Sequence, residues 1–378
     1  MKTVIFTAQP FGFGPVSKAI AIAEQISNAT RIFFGTGVAL DLAKIHDFEQ
    51  VYELSHDDVP QISSLLQNSD VFINVMDFPL IDIAAQTKCT SVLVDSLFWW
   101  WPTIPQQTHL ADIYFCQDFI QPITDRIRKD NMHNAQVITP IITKHFNKGE
   151  NINQAIINFG GCDGRVQNSF ILVGKNSNYP FVILKLLLPI LKKHFESILV
   201  TGRECVMDQC QSKFADDQVQ YKMLSPKQML SELHRSQVCF TTPGIQTFYD
   251  AADKLPLFFL PPSNHSHVDN LQLFADYKIA TNYFDWQQVC RFPYNKCTTR
   301  QQKIDLVLSA IRQFSQNLQH QKVFMHKVKN FLVAKRSWPH HHNNQQKVLQ
   351  KLGTNGAQQI VSAIDNFTSQ RNQAMIFS

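Results

Sequence analysis

Residues 238–270 read as two strand–turn–helix steps in immediate succession, and few folds accept that order. An apolar run at 238–241 meets the turn Thr242-Pro243-Gly244, after which Ile245-Gln246-Thr247-Phe248-Tyr249-Asp250 opens a helix. A second apolar run covers 255–260. Pro261-Pro262-Ser263 and the polar loop Asn264-His265-Ser266-His267 then lead into a helix over 268–275. Antiparallel strands can be joined by a tight hairpin, whereas parallel strands need a long crossover, usually a helix. The pattern predicts an open, parallel α/β sheet, whose ligands bind beyond the carboxyl ends of the strands. Two helix N-termini are expected to face one crevice there, and their amide dipoles would favour a diphosphate.

The same grammar runs through the rest of the chain. In the first half, strands are expected at 4–8, 31–35, 51–54, 71–75, 91–94 and 113–116. A helix over 15–26 places Ala19, Ile22, Ala23 and Ile26 on one face, and another covers 58–67. Residues 147–153 are polar and read as a linker. The pattern then restarts, with strands at 155–159, 197–201 and 218–223 and helices over 180–193 and 226–236. Further helices are expected at 304–318, 323–334 and 356–367, with a His- and Asn-rich loop at 339–346. The resulting expectation is an α/β chain with two Rossmann-like, doubly wound domains facing a cleft. The N-terminal domain would cover 1–148 and the C-terminal domain 149–340. A tail and helix over 341–378 would pack back on the first domain.

Composition narrows the function classes. The chain has 378 residues, 44% of them hydrophobic, enough for two sizeable cores. Its formal charge of +5 is small and reads as spread along the chain, with a mild bias to the C-terminal half. That suits an anionic small ligand and does not indicate nucleic acid. The eight cysteines are scattered without a CxxC pair, which predicts reduced thiols and a cytoplasmic setting. The N-terminus opens directly into a strand without the pattern of a signal peptide. The apolar stretch at 180–191 is too short to span a bilayer, and Lys185 and Pro189 interrupt it. No DxD, P-loop or GxSxG motif occurs, no metal site is expected, and His340-His341-His342 reads as a solvated run.

Several constellations have the chemistry of a nucleotide-sugar site. Gly160 and Gly161, followed by Asp163 and Asn168, would expose backbone N–H groups to an anion. Thr242, Gly244, Ile245 and Gln246 would offer main-chain donors, and Thr247 a hydroxyl. Asp250, one turn into the helix, suits ribose hydroxyls; Asn264, His265, Ser266 and His267 suit sugar hydroxyls. Phe11-Gly12-Phe13-Gly14 and Phe98-Trp99-Trp100 would line the seat of a flat or aromatic acceptor. Asp77 and Asp95 each end a strand on the ligand-bearing edge, and either is a candidate general base.

Over residues 155–275 these motifs resemble the GT-B glycosyltransferases, in particular the N-acetylglucosaminyltransferase and macrolide glycosyltransferase group. Thr242 to Asp250 looks like the donor motif of that family, and Leu257 to Asn270 like its sugar-recognition stretch. The resemblance implies metal-independent, inverting transfer of a sugar from a nucleotide diphosphate, a UDP-sugar above all, to a small-molecule acceptor. No other cofactor is implied. Some relatives place a catalytic His after the first strand, where this chain has Phe11 to Pro15, so the base is expected at Asp77 or Asp95. A nucleotide-sugar hydrolase or 2-epimerase on the same fold is the alternative. The oligomeric state stays open.

Overall fold

The structure is a computed structural model that describes residues 2–119, 123–143, 150–162 and 179–376, with side chains up to residue 371. The chain divides into two compact units, Met1–Lys144 with Gln350–Ser378 and His145–Leu349.

The first unit holds β1 (Lys2–Ala8), β2 (Ala29–Gly35), β3 (Gln50–Glu53), β4 (Val71–Val75), β5 (Thr90–Asp95), β6 (Ile113–Gln117) and β7 (Ala135–Ile138). They form one sheet in the order β3-β2-β1-β4-β5-β6-β7, and every pairing is parallel. β4, β5 and β6 are buried at every position, as strands covered on both faces must be. Successive side chains go to opposite layers. Val4, Phe6 and Ala8 pack with the helix Phe13–Ala23 and with Ile360 and Ile364 of the last helix. Ile5, Phe72 and Leu93 pack with the helices Val59–Gln67 and Pro79–Ala84. Both of these latter helices carry a proline in the first turn, where its missing N–H is harmless.

The second unit repeats the plan with β8 (Gln154–Asn158), β9 (Ser197–Thr201), β10 (Val219–Lys222), β11 (Val238–Thr241) and β12 (Leu257–Phe259). Their order is β10-β9-β8-β11-β12, again all parallel. One layer of its core joins the helix Tyr179–Leu191 to a cluster of rings that includes Phe284, Trp286, Phe314, Phe324 and Phe331.

Two parallel sheets flanked by helices are the expected fold class. The differences are local. The first helix runs Phe13–Ala23 and not 15–26; it ends in a tight turn, Ile26 N–H to Ala23 carbonyl at 3.2 Å. The expected loop at 339–346 lies inside the helix Trp338–Leu352. Pro339 falls in its first turn, and burial of Trp338, Gln345 and Leu349 sets its inner face. His341 of the same helix bonds Thr281 Oγ1 through Nδ1 at 2.9 Å. The polar residues 265–267, expected before the helix, form its first turn in His265–Asp276. Asp163, Asn168 and residues 147–149 of the expected linker lie outside the described residues.

The last helix, Gly356–Ile376, belongs to the first unit and starts against its backbone. A Cβ on Gly356 would sit 2.1 Å from the Thr139 carbonyl oxygen and 3.0 Å from that of Pro140. Gly356 also donates its N–H to Pro140. Gly356→Ala should therefore lower stability by about 2–3 kcal/mol, since a filled contact has to be pushed apart. A urea midpoint that falls with unchanged slope is the expected measurement.

Candidate functional site

In an open parallel sheet, the strand order reverses at one point, and the loops after the two flanking strands diverge there to leave a crevice. In the second unit that point lies between β8 and β11. Asn158, the last residue of β8, organises it. Its Oδ1 accepts the Gly160 N–H at 2.8 Å, and its Nδ2 lies 3.0 Å from Thr247 Oγ1 and 3.4 Å from Thr241 Oγ1. One buried amide thus ties the loop after β8 to the turn after β11. Gly160 has φ of 59°, a conformation that favours glycine, and a Cβ there would meet nothing within 4 Å.

The turn after β11 is held from the other side as well. Asn270 Nδ2 donates to the Pro243 carbonyl at 2.9 Å, and the Gly244 N–H reaches the Thr242 carbonyl at 2.6 Å. Gly244 precedes the helix Ile245–Ala251 with φ of −91°, and no side chain caps that helix. Its φ is one any residue adopts, and a Cβ would meet only atoms at 3.9 Å. Asp250 accepts a hydrogen bond from Gln246 Nε2 at 3.0 Å.

The residues expected to meet the sugar are built into the start of the helix His265–Asp276. Asn264 Oδ1 accepts the His267 N–H at 2.8 Å and the Ser266 hydroxyl at 2.7 Å, so its side chain caps the helix. His267 Nδ1 lies 3.0 Å from Ser263 Oγ. Burial, helped by the positive charges of Arg300 and Lys303, pushes the His265 imidazole down to about 4. Burial and the neighbouring His265 push His267 down to about 3. Both rings are neutral at ordinary pH and present hydrogen-bonding groups without charge.

In the first unit the order reverses between β1 and β4. Gly12, with φ of 74°, precedes the first helix, and Phe11, Gly12, Phe13 and Gly14 are all partly exposed. After β4, Met76 takes φ of 66°, unusual for a residue with a side chain. Asn74 stabilises that turn at both ends. Its Nδ2 donates to the Asp77 carbonyl at 2.7 Å and its Oδ1 accepts the Asp77 N–H at 2.8 Å. The turn aims the buried Asp77 carboxylate at His56, with Oδ1 2.8 Å from Nε2. The Asp77 side chain is 7% exposed and that of His56 54%. The hydrogen bond to Asp77 raises the His56 pKa against the opposing effect of burial. Thr7, beside Asn74 in the register, holds a buried hydroxyl with no partner among the described residues.

His56 was not among the residues expected at the site. It follows β3 in Ser55-His56-Asp57-Asp58, and its signal was a polar cluster at the carboxyl end of a strand. The loop is ordered locally, since Asp58 Oδ2 accepts both the N–H and the hydroxyl of Ser55 at 2.7 and 2.9 Å.

The other expected residues of this unit divide by burial. Asp95 is fully enclosed. It accepts from the Leu97 N–H at 2.7 Å, the Trp101 indole at 2.9 Å and the Tyr114 hydroxyl at 2.7 Å. Those donors brace the segment after β5, and the carboxylate reaches no surface. Phe98 is likewise core, packed on Tyr114 and beneath the Arg126 guanidinium, and does not line a surface as expected. The short 3-10 helix Phe98–Trp100 splays the aromatics apart. Trp99 stacks on Phe119 at 5.3 Å, and Trp100 meets Trp101 at 5.2 Å; both are partly exposed. Among the described residues no group of three His, Cys, Asp or Glu side chains is arranged to hold a metal ion, and no helix is long and apolar enough to cross a membrane.

Burial lifts the Asp95 pKa to about 6 from its ordinary 3.8, against the pull of its three donors. Between those values the folded chain binds more protons than the unfolded one. The stability this group contributes is thus present below 3.8 and lost as pH rises through 6. Over that span the loss is about 3 kcal/mol. Denaturant titrations at pH 4 and pH 6 should show this decline in the natural chain and a flatter profile in Asp95→Asn.

No protein-family description matches the chain, and no curated protein matches it in sequence. Solved structures do match in fold along the full length. A putative UDP-N-acetylglucosamine 2-epimerase from Listeria monocytogenes aligns with a TM-score of 0.53 at 11% identity, covering 98% of this chain and 97% of that one. The spinosyn rhamnosyltransferase SpnG aligns with a TM-score of 0.52 at 10% identity, over 97% of this chain and 100% of the other. Arabidopsis thaliana UGT89C1, complexed with UDP, aligns at 0.51 and 9% identity, over 98% and 99%. Two Rossmann-like units in one polypeptide, each with an all-parallel sheet and a single reversal of strand order, give this chain the GT-B fold of the sugar-transferring enzymes.

Proposed function

We propose that the protein transfers a sugar from a nucleotide diphosphate to a small-molecule hydroxyl acceptor. The observation that carries this reading is the placement of polar residues at the reversal point of each sheet. In the second unit, Asn158 joins two glycine-bearing loops there. In the first, a buried carboxylate orients a half-exposed imidazole.

The donor is assigned to the second unit. The N–H groups of Thr242, Gly244 and Gly160, expected as donors, are taken by internal acceptors, and Pro243 has none. The main-chain N–H groups of Gly161 and of the helix start at Ile245 to Thr247 would take up the charge of the departing diphosphate. Asp250 would accept from the ribose hydroxyls. The neutral His265 and His267, with Asn264 and Ser266, form the wall assigned to the sugar; neutral imidazoles suit uncharged hydroxyls.

The acceptor is assigned to the first unit, with Phe11, Phe13, Trp99 and Trp100 as its aromatic surfaces. Asp77 holds His56 through Nε2, which leaves Nδ1 with the lone pair. In the proposed step the acceptor oxygen attacks the anomeric carbon, its proton passes to His56 Nδ1, and the bond from that carbon to the diphosphate oxygen breaks. The imidazolium that results is stabilised by Asp77. The role given to Asp77 is therefore positioning, and the base is His56.

A nucleotide-sugar 2-epimerase or hydrolase would use the same donor site, and a putative epimerase is among the structures that share the fold. Incubation with the sugar nucleotide alone separates the readings. Isomerised or hydrolysed donor in the absence of acceptor favours the second.

Thermal unfolding with UDP, dTDP, UDP-glucose and UDP-N-acetylglucosamine tests the donor assignment. A matching ligand at 100 times its Kd stabilises the fold by about 2.7 kcal/mol. Asn158→Ala and Asp250→Ala should each raise the Kd of that ligand by roughly tenfold, a loss of one charge-assisted or neighbouring contact. No change in melting temperature with any nucleotide would refute the assignment.

His56→Ala should lower kcat by about a hundredfold or more with the donor Kd unchanged. Asp77→Asn removes the main cause of the raised His56 pKa. The acidic limb of the kcat–pH profile, where the rate rises as the imidazole becomes neutral, should then move to lower pH. An unmoved midpoint would show that His56 does not titrate in the rate.

A further inference from the structure

The net charge of the chain is not spread along it. Residues 306–364 contain no aspartate or glutamate, but they hold eight lysines and arginines and five histidines. The whole chain has 35 basic and 30 acidic residues, so the part outside this stretch is slightly acidic. A solvent-facing helix ordinarily interleaves both signs at i and i+4. The helices Leu318–Val333 and Trp338–Leu352, which lie wholly within it, have nothing to interleave.

The helix Leu318–Val333 lies within this stretch, in the second unit. Gln321, Phe324, Val328, Phe331 and Leu332 form its inner face. Leu318, Lys322, His326, Lys329 and Val333 fall within roughly 80° of arc on the opposite side, at about 100° per residue. Leu318 is 72% and Val333 81% exposed, the highest values among the exposed large hydrophobics of the described residues. Lys322, His326 and Lys329 between them are exposed as well, and Arg336 continues the positive surface just beyond the helix.

We propose that this face docks on an anionic lipid surface. A helix of this length covers roughly 24 Å, and its two aliphatic anchors stand one at each end with cations between. That arrangement suits a broad, soft, negatively charged plane better than a pocket. Lysine stems can lie along the acyl boundary while their ammonium groups stay among the headgroups. Single-stranded nucleic acid would call for arginine or aromatic platforms, and the helix face between Leu318 and Val333 has neither, Arg336 lying beyond it, while exposed leucine and valine would gain nothing from it. The inference does not depend on the proposed transfer reaction, since it rests on a helix that supplies no residue to the donor site.

Co-sedimentation of the full chain with vesicles tests it. The protein should pellet with equal mixtures of phosphatidylcholine and phosphatidylglycerol and stay in the supernatant with phosphatidylcholine alone. Added salt should weaken binding. Lys322→Gln and Lys329→Gln should each lower the partition coefficient about fivefold. Leu318→Ser with Val333→Ser should lower it by about tenfold. Melting temperatures close to that of the natural chain will show that these surface variants fold. Failure to bind the anionic vesicles overturns the proposal, as does binding that all four substitutions leave unchanged. Retention of a single-stranded RNA probe without vesicle binding would assign the face to nucleic acid instead.

Discussion

A parallel strand reaches its neighbour only through a crossover, and that geometric constraint governs both units. It forces helices onto both faces of each sheet and so keeps the inner strands β4, β5, β6, β8 and β11 buried at every position. It also leaves one place per sheet where successive crossovers run in opposite directions. The peptide groups of the loops beside that place have no ladder to join, yet they must be satisfied. The chain meets the need in each unit with an asparagine. Asn74 and Asn158 each use both ends of the amide, one to accept and one to donate, and each shapes the loop that carries the proposed chemistry. The interaction that orders the loop and the one that shapes the site are the same.

Burial then decides what each ionisable group can do. Asp77 and Asp95 look alike as residues at the carboxyl ends of adjacent strands. Asp95 is surrounded by three internal donors and is sealed, so its raised pKa acts on folding stability. Asp77 is almost as buried, but its outward oxygen meets an imidazole that solvent still reaches. A perturbed pKa marks a functional group only where the surroundings also leave a path to a ligand. The same desolvation keeps His265 and His267 neutral, which suits them to hydroxyl groups and not to phosphate.

Much of the fold was legible because its signals are local. Apolar runs, glycine turns and helical periodicity each declare themselves within a dozen residues. The glycine loop at 160–161 and the turn at 242–244 were legible for that reason, and both lie at the reversal point of the second sheet. Local reading failed where two rules competed. The stretch 339–346 has the composition of a loop, yet Pro339 sits harmlessly in a first turn and burial of Trp338, Gln345 and Leu349 makes a helix. The charge pattern was present in the sequence throughout, but a total of +5 hides a long stretch without a carboxylate.

By itself the sequence determined that this chain builds parallel, helix-covered sheets, because strand and helix periods alternate along it and no other architecture buries both. It also determined which turns bear glycine and polar groups at the carboxyl ends of strands. Only the tertiary structure decided which of those groups meet. His56 and Asp77 lie 21 residues apart, on loops after strands that two others separate in the sheet. Their contact depends on strand order and on the left-handed turn at Met76, neither of which any local window contains. The enclosure of Asp95 was completed the same way, since Leu97 and Trp101 are near it in sequence but the Tyr114 hydroxyl comes from the neighbouring strand.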